Sequence, residues 1–523
     1  MSPPGYASEV RLRSNGAAAA PEEKAGVVPA PPASSEPVKE FKSPLDKRYH
    51  VERSAILGLG KSPSLTGFMN LLFCLTTLAG TGLLLENLNK YGFRVAMTQW
   101  TRAFDARQNA AGFYPAVYLF LYMPVQIFVA LGIEKAIALE RVTEAQGMKA
   151  HFVNLLWHVA YPVVGIWAAG DSISILGGVI LCQFNAMVFL KMWSFVHACW
   201  WARERRSHRA AVAAAVGSGC GEVVHSNGHG ASNGHGGASN GTSNGLARAA
   251  AGHPPAVQAV VPATEYPDNL SVGNMAYFTF APTLCYEMDY PRHPTINWRR
   301  VAVRATMLVV VFLMHMSMAQ QWLIPSYTAV LTPLAKGEWS VVAERICKIA
   351  IPNNLVWLVF FYELFHVNMI LVSELTRFAD RRSYDSWWDS EDMNVFWRRW
   401  NLPVHHWCIR HLYLPLLRLG WSKSAAKWAT FVFSGVFHEY IVSPPLRMFR
   451  LYAFFGMLAQ VPIGDLSEWV CKRLGPRWGN AVVWFSVCVG QPLSVLLYVR
   501  DYVVACDGHA ALAVLGDSAF ATS

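Results

Sequence analysis

Trp428-Ala-Thr-Phe-Val-Phe-Ser434-Gly-Val-Phe-His438-Glu439-Tyr-Ile-Val-Ser-Pro444-Pro445-Leu446 is an apolar run of bilayer-crossing length, with two ionisable side chains inside it and a proline pair near its end. A spanning helix needs about 20 mostly apolar residues. An ionisable residue within one costs roughly 2.5 to 3.5 kcal/mol on insertion scales, so it needs a partner or a purpose. At helical spacing Ser434 and His438 share one face. A neutral imidazole there, its second nitrogen oriented by a neighbour, is able to take a proton from an alcohol near neutral pH. The competing use of a His-Glu pair is a hydrogen bond between helices.

The rest of the chain has the same character. Of 523 residues, 53% are hydrophobic and only 15% charged, 20 are Trp, and the mean hydropathy is +0.25. That is too little charge to clothe several soluble domains. Candidate spans fall at 66–88, 113–138, 152–170, 172–199, 300–325, 346–376, 428–446, 449–470 and 481–506. The expected fold is therefore an all-α polytopic membrane protein with about nine transmembrane helices.

Five regions follow. Residues 1–62, rich in Ala, Pro, Ser and charge, read as a disordered cytosolic arm. Residues 63–200 hold spans one to four, and 201–265 a low-complexity linker around the Gly/Ser/His insert at 226–245. Residues 266–506 hold the remaining spans with an amphipathic cytosolic loop at 377–428, and 507–523 form a lumenal tail. Lys and Arg number nine before residue 65, eight in 200–300 and nine in 377–428, against four in 89–112 and none after 506. The positive-inside rule then puts the N-terminus in the cytosol and, after nine crossings, the C-terminus in the lumen. This topology keeps the sequons at Asn240 and Asn269 cytosolic and unmodified.

In the 377–428 loop, Met393, Trp397, Trp400, Val404, Trp407, His411 and Leu414 recur at alternating four and three, while Arg398, Arg399, His405, His406 and Arg410 occupy the other faces. Such a segment is expected to lie in the membrane interface, Trp face down and cations toward water. A cationic shelf beside an intramembrane His suits a substrate with an anionic head and an apolar tail, such as acyl-CoA; a lipid-headgroup anchor is the plainer reading.

Several chemistries drop out. No G-x-S-x-G elbow is present. No His begins an H-x4-D pattern, and the His boxes of a membrane diiron enzyme are missing, so no metal ligand set is expected. The ten Cys stand without a CxxC pair. Ala55 to Ser62 nearly matches a phosphate-binding loop but lacks its first Gly and a preceding strand. The net charge of +10 comes without a basic run interleaved with aromatics, so no nucleic acid is expected. In the sixth span Glu363 and His366 share a face, for which a structural role is expected. A proton-coupled transporter would use Glu363, His366, His438 and Glu439 as a relay, but the inverted repeats of such a protein are not seen.

Tyr266-Pro-Asp-Asn-Leu, Ala281-Pro-Thr-Leu-Cys-Tyr-Glu, Gln320-Gln-Trp, Trp400-Asn-Leu-Pro-Val-His, Phe437-His-Glu-Tyr, Pro445-Leu-Arg-Met-Phe-Arg and Gly490-Gln-Pro, in this order, resemble the membrane-bound O-acyltransferases. The runs from Pro445 and Gly490 look like the diacylglycerol branch more than the sterol branch. The resemblance implies helices enclosing a buried reaction chamber in the endoplasmic reticulum membrane. The implied reaction moves an acyl group from acyl-CoA to the free hydroxyl of 1,2-diacylglycerol, giving triacylglycerol and CoA with no cofactor; a sterol or fatty-alcohol acceptor is the alternative. By the same analogy His438 is the catalytic base and Asn401 the second signature polar residue. Ser434, Glu439, Gln460 and Gln491 match polar positions around the chamber, and Tyr413 and Lys423 positions near the CoA entrance. Trp400, Tyr384, Trp387 and Trp388 belong to motifs tied to acyl-CoA. A homodimer or homotetramer among membrane lipids is implied. One departure stands out: the family's loop motif Phe-Tyr-x-Asp-Trp-Trp-Asn is here Ser383-Tyr-Asp-Ser-Trp-Trp-Asp389. The expectation is that this loop serves shape, with Ser386 and Asp389 substituting locally, and does not touch CoA phosphates.

Overall fold

A computed structural model describes residues 114–218 and 264–505, with isolated positions between 81 and 95. The expected arm, most of the first span, the Gly/Ser/His insert and the C-terminal tail lie outside the described residues. Among the described residues the regular elements are helical, and one isolated antiparallel bridge joins Arg292 to Phe378.

Helix α1 (Pro115–Ala138) begins on a proline, whose fixed φ and missing N–H suit the first turn. Helix α2 (Glu144–Ala169) opens on a capping box in which Thr143 and Gln146 satisfy each other's backbone N–H. Helix α3 (Ile175–Ser218) runs past residue 200, where the linker was expected to begin, through an Ala-rich stretch of high helix propensity. After α4 (Val272–Phe280) and a coil, α5 (Trp298–Met318) passes through a π-helical turn, Ala319–Leu323, into α6 (Ile324–Lys336). Helix α7 (Trp339–Phe361) likewise continues through a π-helical segment, Tyr362–Asn368, into α8 (Met369–Leu375). The loop holds α9 (Met393–Trp400), α10 (Leu402–Cys408), a third π turn at Ile409–Tyr413, and α11 (Leu414–Arg418). Helices α12 (Lys423–Leu446), α13 (Tyr452–Leu458), α14 (Gln460–Leu474) and α15 (Pro476–Ala505) complete the described chain.

Among the described residues six helical runs are long and apolar enough to cross a membrane: α1, α2, α3, α5–α6, α7–α8 and α15, each over an expected span. Helix α12, at 24 residues, has the length but is diluted by Ser434, His438, Glu439 and Ser443. The run expected to span at 449–470 is divided at Ala459 into α13 and α14.

Four apolar clusters organise the described helices, two of them larger than the others. Ile127, Leu181, Phe195, Phe278, Tyr286 and Tyr440 belong to one, which joins α1, α3, α4 and α12. Phe361, Phe365, Trp387, Met393, Phe396 and Val483 form a second, between α7, the loop and α15. Helix α12 is gripped on two sides through glycines. A Cβ on Gly178 of α3 would meet Pro445 Cβ at 3.0 Å, and one on Gly435 would meet Phe454 of α13 at 3.0 Å.

The 377–428 loop departs from the expected interfacial layout. Trp407 is fully buried, Met393 and Phe396 nearly so, and all three pack into protein. Arg410 and His411 are buried too. Arg410 pairs with Glu287, and His411 bonds Ser194 Oγ at 2.7 Å and His197 Nδ1 at 3.2 Å on α3. A periodic Trp stripe reports an apolar partner without saying whether it is lipid or protein, and here Leu190, Trp193 and Phe433 supply it. Lys191 is buried likewise, its ammonium donating to the carbonyls of Phe278, Thr279 and Ala281 at the end of α4.

Removing one partner of a buried ion pair costs about 3–5 kcal/mol, whereas replacing both by apolar groups is often neutral. Arg410→Met is therefore expected to lower the thermal midpoint of the purified protein clearly, and Arg410→Met with Glu287→Leu to recover most of it. Equal losses in the single and double variants would refute the pairing.

Candidate active site

The site is built on α12, whose N-terminus is capped by Ser422 Oγ accepting from Ala425 N at 3.1 Å. Successive helix residues point about 100° apart, and the neighbours of His438 are each anchored in a different direction. Phe437 packs on Phe189 of α3 with ring centroids 5.0 Å apart. The Tyr440 hydroxyl accepts from Asn185 Nδ2 at 2.9 Å. His438 is left facing accessible space, although α12 is flanked by α3 and α13.

His438 Nδ1 lies 2.8 Å from the Ser434 carbonyl oxygen. A carbonyl is acceptor only, so Nδ1 carries the proton and donates it, leaving the Nε2 lone pair available as a base. Ser434 Oγ, at 3.5 Å from the same nitrogen, is at the limit of a hydrogen bond and adds little.

Glu439 has different work. Its Oε1 accepts from Ser443 Oγ and from Leu451 N at 2.9 Å; its Oε2 accepts from Phe454 N at 3.2 Å and from the Tyr498 hydroxyl at 2.6 Å. Four donors on a carboxylate that is 4% exposed lock the end of α12 to the start of α13 and to α15.

The loop brings a second set of expected residues together. The Trp400 ring stacks on Trp357 at 4.6 Å and 7°, with Phe361, Phe365, Phe396 and Trp387 around it. Tyr384 lies edge-on to Phe361, and its hydroxyl shares a hydrogen bond with His366 Nδ1 at 2.9 Å; burial pushes the phenol above its ordinary pKa. Trp388 is exposed. Asn401 caps α10 by accepting from Val404 N at 3.1 Å, which leaves its Nδ2 to donate elsewhere. The two regions converge on α12, where Trp397 meets Phe431 and Trp407 stacks on Phe433 at 5.3 Å, one to two turns from His438.

Gln491 sits on α15, two turns beyond Trp484 of the aromatic cluster, and its Oε1 accepts from Asn353 Nδ2 at 3.4 Å. Gln460 opens α14 and donates to the Gly456 carbonyl at 3.2 Å. Tyr413 ends the π turn before α11, and Lys423 is the exposed first residue of α12. Fifteen residues separate Lys423 from His438, roughly 22 Å along the helix, a distance that a long, extended substrate spans. Glu363 and His366 do not pair with each other: Glu363 Oε2 lies 2.9 Å from His315 Nδ1 on α5. Asn353, Tyr327 and Tyr498 escaped the sequence reading; Asn353 had a signal, as an amide beside Pro352 inside an apolar run.

Around the loop motif, Leu402 N donates to Ser383 O at 3.0 Å and Asp385 N to Arg399 O at 2.9 Å, clasping the Trp400–Asn401 turn. The Asp385 side chain receives Ser386 N and pairs with Arg382 at 2.7 Å, while Asp389 is exposed. Among the described residues no group of three or more His, Cys, Asp or Glu is placed to hold a metal ion.

A model of the MBOAT, membrane-bound O-acyltransferase family, matches residues 263–500, which include the loop, α12 and most of α15. The chain belongs to this family. It is 38% identical to diacylglycerol O-acyltransferase 1 of Bos taurus over 439 residues, 84% of this chain and 81% of that protein. The Homo sapiens protein of the same name is 36% identical over 84% of this chain and 80% of its own length. That of Arabidopsis thaliana is 30% identical over 83% and 73%.

Glu439→Gln keeps the size of the side chain but turns an NH2 toward backbone N–H donors. It is expected to lower thermal stability more than Tyr498→Phe, which loses one hydrogen bond to the carboxylate, about 1.5–3 kcal/mol, and the acceptor of Ala453 N but leaves the other three donors on Glu439. Thermal unfolding of the purified variants in one detergent checks the order, and a Glu439→Gln protein as stable as wild type would exclude the clamp.

Proposed function

We propose that the chain is an acyl-CoA-dependent diacylglycerol O-acyltransferase, forming triacylglycerol and CoA. The observation that supports this reading is His438 on α12, its Nδ1 held by the Ser434 carbonyl, within a chain 36–38% identical over 84% of its length to proteins of that name. Nε2 withdraws the acceptor's hydroxyl proton as the oxygen attacks the thioester carbon. The developing oxyanion takes a hydrogen bond from the amide of Gln491 or Asn401. Collapse breaks the C–S bond, and the proton held by His438 balances the departing thiolate. The thioester is already activated, so the residues supply position, a base and exclusion of water. Tyr384, Trp387 and Trp400 are read as a shaped aromatic wall for acyl-CoA, with Tyr413 and Lys423 near its entry. We further infer an endoplasmic reticulum location with the N-terminus cytosolic, and a homodimer or homotetramer.

His438→Ala is expected to lower triacylglycerol formation from acyl-CoA and diacylglycerol by roughly 10²- to 10⁴-fold with assembly unchanged. Turnover above about one percent of wild type would remove the base assignment, and a panel of sterol and fatty-alcohol acceptors tests the acceptor. Asp389→Asn is expected to leave the acyl-CoA KM within about threefold, the scale of a minor contact. A tenfold fall in KM would place Asp389 against the CoA phosphates instead.

A further inference from the structure

Gln491 carries an amide whose two ends differ by one proton donor, and an oxyanion is stabilised only by the NH2 end. The side chain alone does not choose between the two orientations. Beside it stand two buried groups that the reaction scheme above leaves unused. Asn353 on α7, 5% exposed, follows Pro352 and donates its Nδ2 to Gln491 Oε1 at 3.4 Å. Tyr327 on α6, 4% exposed, donates its hydroxyl to Asn353 Oδ1 at 3.0 Å, with the Pro492 carbonyl at 3.3 Å as a second acceptor.

An Asn–Gln pair by itself can bond in either sense, because flipping both amides restores the contact. A phenol biases the choice. Its one proton goes to the nearer acceptor, Asn353 Oδ1 at 3.0 Å against the Pro492 carbonyl at 3.3 Å, which turns that oxygen toward Tyr327 and the Asn353 NH2 toward Gln491; the reverse sense would have the hydroxyl accept from Asn353 and donate over the longer contact. Gln491 must then present its oxygen to Asn353 and keep its NH2 for the other side. Helix α15 packs on α7 at one flank and on α13 at another, where Ala453 N donates to the Tyr498 hydroxyl at 3.0 Å and that hydroxyl reaches Glu439 beside His438. The NH2 end is thus turned away from the α7 flank.

We propose that Tyr327 and Asn353 are positioning residues that fix the amide of Gln491 with its NH2 free to donate to the oxyanion. This rests on the reading of Gln491 as the oxyanion donor, and the test separates the two. In the full-length purified enzyme, kcat and both KM values are measured for Gln491→Ala, Asn353→Leu, their combination, and Tyr327→Phe.

Losing an oxyanion donor costs roughly 10²- to 10³-fold in kcat, so Gln491→Ala is expected to fall in that range and Asn353→Leu, which leaves the amide free to turn, by about tenfold. Tyr327→Phe is expected to lose a few-fold, with KM values unchanged in each case. The combined variant should be no slower than Gln491→Ala, because residues acting through one group are not additive. Asn353→Asp adds a readout that a structural role would not move: its carboxyl donates to Gln491 only while protonated, so its kcat falls with rising pH where that of wild type does not. Unchanged kcat in Gln491→Ala overturns the donor reading and the positioning with it. A slow Gln491→Ala beside additive losses, raised KM values, or a full-speed Tyr327→Phe and Asn353→Leu overturns the positioning alone.

Discussion

Much of the catalytic half depends on one carboxylate. Glu439 gathers two backbone N–H groups from the turn into α13, a serine hydroxyl from its own helix and a tyrosine hydroxyl from α15. Hydrogen bonds to a charged acceptor are about twice as strong as neutral ones, and in an apolar surround each bond left unmade costs the full desolvation of its group. Three helices therefore share one fixed point. Because His438 is the preceding residue, its direction is set by where Glu439 must go, as it is by the burial of Phe437 and Tyr440 on the opposite side. The base is aimed by its neighbours, and its ring needs just one contact of its own, the Ser434 carbonyl.

The same economy governs the rest of the scarce charge. Arg410 with Glu287, Lys191 with three carbonyls, and Glu134 with Arg203 and His151 each join segments far apart in sequence. A chain with 15% charged residues spends several of them inside, as ties between helices. Their burial explains why the loop departs from an interfacial layout: once Arg410 and His411 turn inward to Glu287 and Ser194, the Trp face of α10 is drawn onto Leu190 and Phe433. Arg398 and His406 are the cations that stay exposed there.

The spans with continuous apolar runs were legible because bilayer length and hydropathy leave little choice, and α1, α2, α3, α5, α7 and α15 cover the runs where they were expected. Helix α12 was legible for the opposite reason: an ionisable pair inside an apolar run demanded a purpose. The division at Ala459 was not, since a one-residue interruption leaves average hydropathy unchanged. Nor were the partners of the polar residues. Spacing puts Glu363 and His366 on one face, but π-helical winding at Tyr362–Asn368 adds a residue to the turn, and the two find His315 and Tyr384 instead. Glu439 read as a member of the His-Glu pair because a sequence shows adjacency and hides the four donors that come from as far as Tyr498.

The altered loop motif shows how such a departure is absorbed. Its contacts to the Trp400–Asn401 turn are backbone bonds from Ser383 and Asp385, which do not depend on side-chain identity. Of the three aromatic positions that are kept, Tyr384 and Trp387 pack against Phe361, Trp387 also against Trp400, and Trp388 is exposed. Of the three positions that changed, Asp389 is exposed, Ser386 N is bonded by the Asp385 side chain, and Ser383 is buried where the motif has a ring, its carbonyl held by Leu402 N. A loop whose shape is held by main chain and aromatic packing can exchange an amide for a carboxylate at its rim while its inner wall stays fixed. The constraint on this segment therefore lies in its backbone register and in the two packed rings Tyr384 and Trp387, while the first ring of the motif and its polar letters are the freer part.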